Sequence, residues 1–70
     1  MPLPMVRRWA IYRVNGEVFV QVGAQPSQGL AATEALRMAS ASGATHHIVE
    51  QIISRRAAIE QYARLQAMHR

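Results

Sequence analysis

The chain has 70 residues, no cysteine, eight arginines and four glutamates, and its formal net charge is +4 at pH 7 with histidines neutral. This length supports one small domain over residues 1–70 and excludes two. The lack of cysteine excludes a disulfide framework and a cysteine-based zinc site. A domain of this size buries only about 60% of its surface on folding, so we expect a lone monomer to be marginally stable.

The apolar stretches of the sequence are short. None approaches the ~20 residues that a membrane-spanning helix needs. Residues 1–8 have no apolar segment after their charges, which a secretory signal would have. We therefore expect a cytoplasmic protein with no membrane partner.

The charge is unevenly distributed along the chain. Residues 1–16 carry +3, residues 17–50 carry −2 and residues 51–70 carry +3. A basic domain with two cationic ends is suited to a polyanion or to an acidic protein surface. The composition therefore favours nucleic acid or an acidic partner protein.

The strongest local signal is a β-hairpin over residues 8–22. Two runs rich in β-branched and aromatic residues flank Asn15-Gly16, which is the preferred pair for a two-residue type I′ turn. Such a turn fixes the register and places Tyr12 opposite Phe19.

This register sorts the hairpin side chains onto two faces, because alternate residues of a strand point to opposite sides. The predicted core face contains Trp9, Ile11, Val18, Val20 and Val22, with Arg13 near the turn. The other face is mixed and contains Arg8, Ala10, Tyr12, Val14, Phe19 and Gln21. Both faces need cover, so we expect the hairpin to dock on the helices and the chain to form a homodimer.

A first helix is predicted over residues 29–43, after a Gly-, Pro- and Ser-rich connection. Either Ser27 or Thr33 is a suitable N-cap, and Gly43 ends the helix. The predicted apolar stripe is rich in alanine and contains Ala32, Ala35, Leu36 and Ala39.

A second helix is predicted over residues 45–69, which contain no Gly or Pro. Large apolar residues come there as doublets four apart, Ile48-Val49 and Ile52-Ile53, whereas a strand would alternate singly. A short third strand near residues 46–53 is the alternative, because Ile and Val favour strands. The predicted fold class is α+β with the order ββαα, and ββαβα is the alternative.

Enzymatic chemistry has little support in this sequence. The four glutamates are scattered, aspartate is absent, and there is no glycine-rich phosphate loop. His46 and Glu50 lie one helical turn apart, but a metal site needs a third ligand and His69 is far along the same predicted helix. We therefore expect a non-enzymatic protein with no metal, cofactor or small-molecule substrate.

Arginines and aromatic rings together suggest a surface that contacts nucleic acid or a partner protein. Arg8, Tyr12 and Phe19 share a hairpin face, where rings would stack on bases while the cation holds a phosphate. A cross-strand pair of the two rings that supports the sheet is the alternative. Arginines of the second helix, opposite Ile59, form either a phosphate-contacting ridge or a solvated face. The candidate contact residues are Arg8, Tyr12, Arg13, Phe19, Arg55, Arg56 and Arg64.

Residues 35–49 resemble the helix–turn–helix portion of ribbon-helix-helix repressors, in which a Gly, then a Ser or Thr two positions on, separates two helices. The matching residues here are Gly43, Thr45, Ile48 and Val49. The resemblance implies an obligate dimer whose paired strands enter the DNA major groove, with Thr45 and His46 anchoring a phosphate. That family has one short strand where this sequence predicts a hairpin.

The sequence therefore favours a small basic, non-enzymatic nucleic-acid-binding or regulatory protein that acts through arginines on a dimeric scaffold. The alternative is a small inhibitor or adaptor, of the kind encoded by phages and mobile elements, that docks on an acidic partner protein. Salt separates the two, because binding to nucleic acid weakens steeply as salt rises.

Overall fold

The computed structural model describes residues 4–69, so the predicted domain limits at 1 and 70 lie outside the described residues. The elements in chain order are β1 (Met5–Asn15), β2 (Val18–Gln25), α1 (Gln28–Ser42), β3 (Thr45–Ser54) and α2 (Arg55–Met68). The predicted α+β class is confirmed, and the alternative order ββαβα is the closer one. Over the described part of the chain, neither helix is long and apolar enough to cross a membrane.

β1 is the central strand of a three-stranded antiparallel sheet with the order β2-β1-β3. It pairs with β3 over ten positions, from Met5 opposite Ser54 to Val14 opposite Thr45. β2 and β3 therefore run parallel to each other at the two edges, and α1 connects them and contacts all three strands. α2 is hydrogen-bonded through Gln61 and Gln51 to Tyr12, on the face of the sheet opposite Ile11, and just after it His69 reaches the edge of β2 at Val22.

The core lies between the sheet and α1 and consists largely of small side chains. Ile11 packs against Ala31 and Ala35 of α1, and no other large side chain in residues 4–69 is fully buried. The backbone of β2 also lies close to Ile11 at Gly23. A Cβ at this position would lie only 3.2 Å from the Cδ1 of Ile11. Half-buried apolar side chains surround this cluster at Trp9, Val22, Met38 and Ile48.

The hairpin has a different turn from the predicted one. Its loop is Gly16-Glu17, closed by Asn15 opposite Val18. Gly16 has a φ of 62°, and no non-glycine residue between positions 4 and 69 has a positive φ. The type I′ prediction is therefore wrong, because that turn needs two positive φ angles, whereas a type II′ turn needs one, at its first position. Glycine supplies that angle and leaves Asn15 in β1.

The shifted turn changes which residues face one another across the hairpin. Tyr12 lies opposite Gln21, while Phe19 lies opposite Val14, so the predicted pairing of the two rings is wrong. From Tyr12 to Asn15 the register moves by two positions, which keeps the predicted assignment of side chains to faces. A β-bulge between Ile11 and Tyr12 then adds one residue to β2, so that Ile11 lies opposite Gly23 and not opposite the predicted Val20.

The predicted core face of the hairpin is only partly buried. Trp9, Ile11 and Val22 lie in or against the core cluster. Val18 and Val20 are 59% and 44% exposed, so their prediction as core residues is wrong. The cluster ends at Val22, and the hairpin tip, residues 15–20, is exposed throughout.

α1 occupies nearly the predicted range of residues 29–43, and local hydrogen bonds set its ends. Ser27, one of the two predicted N-caps, accepts from the N–H of Leu30 at 3.2 Å. Gly43, at a φ of 72°, donates its N–H to the carbonyl of Ala39 at 2.8 Å.

The stripe of α1 that packs on the sheet differs from the predicted one. Ala35 is buried as expected, but its buried neighbour is Ala31, whereas Ala32 is exposed and Leu36 is 69% exposed. Small side chains at the contact let the α1 backbone approach Ile11 closely, and the leucine is left on the outer side.

The predicted second helix over residues 45–69 is wrong in its first ten residues, which form β3. Isoleucine and valine favour extended backbone, and the second edge of β1 offers them a ladder of partners. The doublets imitate a helix because β3 carries apolar side chains on both faces, with Ile48 against the core and Val49 48% exposed. α2 begins after Ser54, whose hydroxyl accepts from the N–H of Ala57 at 3.1 Å.

The resemblance to ribbon-helix-helix repressors does not extend to the structure. Gly43 ends a helix as in that family, but Thr45 begins a strand and no helix start is formed there to anchor a phosphate. The ring Nδ1 of His46 lies 2.9 Å from the carbonyl of Ala44.

Replacing Ile11 with alanine tests the core. We expect Ile11→Ala to lower the free energy of unfolding by ~2–5 kcal/mol, because it empties the space of a fully buried side chain. Chemical denaturation followed by circular dichroism measures the loss. The control is Leu36→Ala on the exposed side of α1, with an expected change within ~0.5 kcal/mol. Equal losses in the two variants would contradict this core.

Candidate protein-binding surface on the second helix

α2 is held against the sheet by a chain of amide and hydroxyl groups. Gln61 is buried and donates from Nε2 to the Oε1 of Gln51 at 3.0 Å. Gln51 in turn donates from Nε2 to the hydroxyl of Tyr12 at 3.0 Å. Ala58, one turn before Gln61, is buried on the same side of α2. Leu65, four residues after Gln61, is half-buried on this side. The fully buried side chains of the described part of this helix are therefore one alanine and one amide, and the amide is tolerated there because it is hydrogen-bonded.

This packing leaves Ile59 and Tyr62, two large apolar side chains of α2, outside. Ile59 is 63% exposed and Tyr62 is 61% exposed. Arg55 precedes Ile59 by four residues and Tyr62 follows it by three, so the three side chains share one side of the helix. The prediction that the arginines lie opposite Ile59 is therefore wrong for Arg55, and also for Arg56, which precedes Ile59 by three residues and lines a cavity with it. We call Arg55, Arg56, Ile59 and Tyr62 the α2 outer surface.

A shallow cavity of about 390 Å³ lies at the N-terminal end of the α2 outer surface. Its position is fixed by the backbone, because the N–H of Arg55 donates to the carbonyl of Pro4 at 2.9 Å and ties α2 to the start of β1. The lining consists of Pro4, Ser54, Arg55, Arg56 and Ile59. The result is a depression with apolar walls and two arginines at its border.

The same end of the molecule concentrates positive charge. The register between β1 and β3 places Arg7 and Arg8 opposite Ile52 and Gln51, close to the point where α2 begins. The first turn of α2 has no acidic residue, so its two arginines add to the positive end of the helix dipole.

Two carboxylates lie near these arginines without neutralising the surface. The Nε of Arg7 is 3.9 Å from Glu50, and the Nε of Arg56 is 3.7 Å from Glu60. The side chains of both pairs are between 42% and 92% exposed, so water and salt screen them. Arginines in such weak pairs stay available for the carboxylates of a partner.

The predicted aromatic surface of the hairpin is divided. Arg8, Tyr12 and Phe19 share one face as expected, but Tyr12 is half-buried and its hydroxyl is hydrogen-bonded. Phe19 is 58% exposed and stacks on His47, with ring centroids 6.2 Å apart and an angle of 12° between the planes. Tyr12 therefore supports α2 and does not extend the stack.

The other predicted contact residues lie apart from the α2 outer surface. Arg13 lies near the hairpin tip, on the opposite face of the sheet from Tyr12. Arg64 follows Arg55 by nine residues, which places it on the opposite side of α2. There it borders a depression of about 230 Å³ with Gln21, Gln61, Leu65 and Met68.

Sequence reasoning missed Ile59 and Tyr62 as surface residues because it treated large apolar side chains as buried. The spacing of Arg55, Ile59 and Tyr62 contained the signal, since it makes one helix side both basic and apolar.

For the metal site considered at His46 and Glu50, no three His, Asp or Glu side chains among residues 4–69 are placed to hold an ion.

A groove of about 300 Å³ lies between α1 and the C-terminal end of α2, with the edge of β2 as its floor. The Nε2 of His69 lies 2.8 Å from the carbonyl of Val22 and covers part of this edge. Glu34 borders the groove, and the hydrogen bond from the Arg37 guanidinium holds the pKa of this carboxyl below its ordinary value.

Replacing Glu34 tests this ion pair through its pH dependence. Because folding lowers the pKa of Glu34, the pair stabilises the fold above the ordinary value of 4.5 and loses this effect as the pH falls through the lowered pKa. We expect Glu34→Gln to lower the melting temperature slightly at neutral pH and to leave it unchanged in strong acid. Thermal melts compare it with Glu17→Gln in the exposed hairpin loop. A loss independent of pH would contradict the assignment.

Comparison with known proteins gives no guide to function. No family model matches the chain, no curated protein matches it, and no solved structure matches it. Its function is therefore inferred from its own surface.

Proposed function

We propose that this protein is a small non-enzymatic adaptor or inhibitor that docks its α2 outer surface on an acidic protein partner. The observation that carries the proposal is the exposure of Ile59 and Tyr62 on the same side of α2 as Arg55. Grouped large apolar side chains on a protein surface commonly mark the place where another protein binds.

The chemistry of the surface defines the partner. Burying an apolar side chain of this size on binding is worth about 1.5–3 kcal/mol. Tyrosine and arginine are also the residue types that often dominate the binding energy of interfaces. Because a guanidinium pairs with a carboxylate through two parallel hydrogen bonds, the matching surface carries Asp or Glu beside apolar side chains.

Nucleic acid, the partner that the sequence favoured first, fits this surface less well. A phosphate backbone attracts arginines but offers Ile59 no apolar counterpart. Stacking on successive bases needs several rings on an open face. Phe19 is exposed, but Tyr12 is half-buried with its hydroxyl hydrogen-bonded to Gln51, so only one of the two predicted rings is open. Arg13 and Arg64 lie away from Arg55, which weakens the case for one continuous phosphate-binding ridge.

We propose that the protein has no catalytic activity and no cofactor, and that it acts in the cytoplasm. The four glutamates lie on the hairpin loop, α1, β3 and α2, and three of them are within 4.0 Å of an arginine. Carboxylates that are dispersed in this way do not converge on one bond, as a paired-carboxylate mechanism requires.

A random peptide library displayed on phage tests the proposal directly. We expect the protein to enrich peptides in which Asp or Glu stands beside aliphatic or aromatic residues. Fluorescence anisotropy with one enriched synthetic peptide then compares variants. Ile59→Ser and Arg55→Glu should each raise the dissociation constant at least about tenfold, which corresponds to ~1.4 kcal/mol.

The matched controls make the same chemical changes elsewhere. Leu36→Ser replaces an exposed apolar residue of α1, and Arg13→Glu reverses a charge near the hairpin tip, so both should leave the peptide affinity within about twofold. Equal weakening in the controls would overturn the surface. Failure to enrich any peptide, together with steeply salt-dependent binding of an arbitrary DNA duplex, would favour nucleic acid instead.

A further inference from the structure

β3 is an edge strand whose outer side meets no other strand in residues 4–69. Met5 lies opposite Ser54, so the next pair along the same register is Pro4 with Arg55. This is a hydrogen-bonded pair, because the N–H of Arg55 donates to the carbonyl of Pro4. In an antiparallel ladder the hydrogen-bonded positions alternate, so the odd-numbered residues of β3 bond to β1. The peptide groups of the even-numbered residues therefore face the free edge; before Ser54, where β3 ends, these residues are His46, Ile48, Glu50 and Ile52.

This edge has few of the devices that usually keep exposed strands apart. Such edges are blunted by charged side chains, proline, bulges or short length. β3 has ten residues, contains no proline or lysine, and keeps a continuous register with β1; its one carboxylate, Glu50, lies 3.9 Å from Arg7. The opposite edge of the sheet, by contrast, is partly covered where His69 contacts the carbonyl of Val22. Val49 and Ile52 are 48% and 58% exposed along the open edge.

The total surface area indicates how much of the molecule is left to cover. The protein exposes 5241 Å², whereas a compact monomer of 7.8 kDa exposes about 4,400 Å². The excess of roughly 850 Å² is close to the ~800 Å² that each partner contributes to a standard protein interface. One interface of ordinary size would therefore bring this chain to the exposure of a compact protein.

We propose that the occupant of this edge is a second copy of the chain, with β3 pairing antiparallel to β3 about a two-fold axis. The sheet then has six strands, and the outward peptide groups of both copies form about eight hydrogen bonds. This surface is separate from the α2 outer surface, and the inference does not rest on the proposed function.

The side chains of β3 favour a two-fold axis at Val49. An axis at Glu50 would set two carboxylates directly opposite each other, which destabilises a sheet. An axis at Ile48 would leave Ile52 outside the ladder. An axis at Val49 pairs Ile48 with Glu50 and His46 with Ile52 of the other copy, and it buries the two exposed valines against each other.

A single new cysteine tests this register, because the natural chain has none. With the axis at Val49, the two copies of this residue form a non-hydrogen-bonded pair. Their Cα atoms then lie about 4.5 Å apart, which is close enough for a disulfide. We expect Val49→Cys to become a covalent dimer under mild oxidation, on a non-reducing gel. Thr33→Cys, exposed on α1, is the control and should remain mostly uncrosslinked at the same concentration.

Sedimentation equilibrium at micromolar concentrations tests the dimer itself. The natural chain should give twice the 7.8 kDa of one copy. Val49→Lys, which places two cations at the axis, should raise the dimer dissociation constant more than tenfold while its circular dichroism spectrum is kept. Ile59→Ser and Arg55→Glu should remain dimeric, which separates this inference from the α2 outer surface.

Results that differ from these expectations contradict the inference. A natural chain that sediments as one copy overturns the dimer. A dimer that Val49→Lys leaves intact uses another surface. A dimer that Val49→Lys breaks, but that Val49→Cys does not crosslink, overturns the register at Val49.

Discussion

The pairing of β1 with β3 is the interaction on which the rest of the structure depends. It joins residues that are 31 to 49 positions apart in the chain, from Val14 with Thr45 to Met5 with Ser54. The ladder brings Ile48 to the core and brings the start of α2 beside Pro4. Without it, the sheet would be a two-stranded hairpin, which is rarely stable alone. Closing so long a loop is entropically unfavourable, so these contacts have to form together.

Features that depend on neighbouring residues could be predicted from the sequence. The position of the hairpin follows from Gly16 between two β-rich runs, and the ends of α1 follow from Ser27 and Gly43, whose capping bonds span only three or four residues. β3 could not be assigned in the same way, because its local pattern suits a helix as well as a strand. What decides between them is the free side of β1, and a strand thirty or more residues away leaves no trace in the local periodicity.

The candidate surface was predictable in part. The sequence singles out Arg55 and Arg56, but it assigns Ile59 to a buried stripe because apolar side chains are usually packed inside. In the structure, α2 packs through Ala58 and Gln61, since Gln51 and Tyr12 offer polar partners on that face of the sheet. The partner of Gln61 lies on β3, so the side of α2 that is buried could be known only once β3 was known.

The alanine-rich core also bears on how the protein responds to temperature. The buried cluster of Ile11, Ala31 and Ala35 hydrates little apolar surface on unfolding, so we expect a small heat-capacity increment of unfolding for this chain. With a small heat-capacity increment, the free energy of unfolding changes little with temperature. Because little apolar surface is buried, we also expect this free energy to be low at every temperature. Under such conditions the concentration of whatever binds the native form has a large influence on the folded fraction, through mass action.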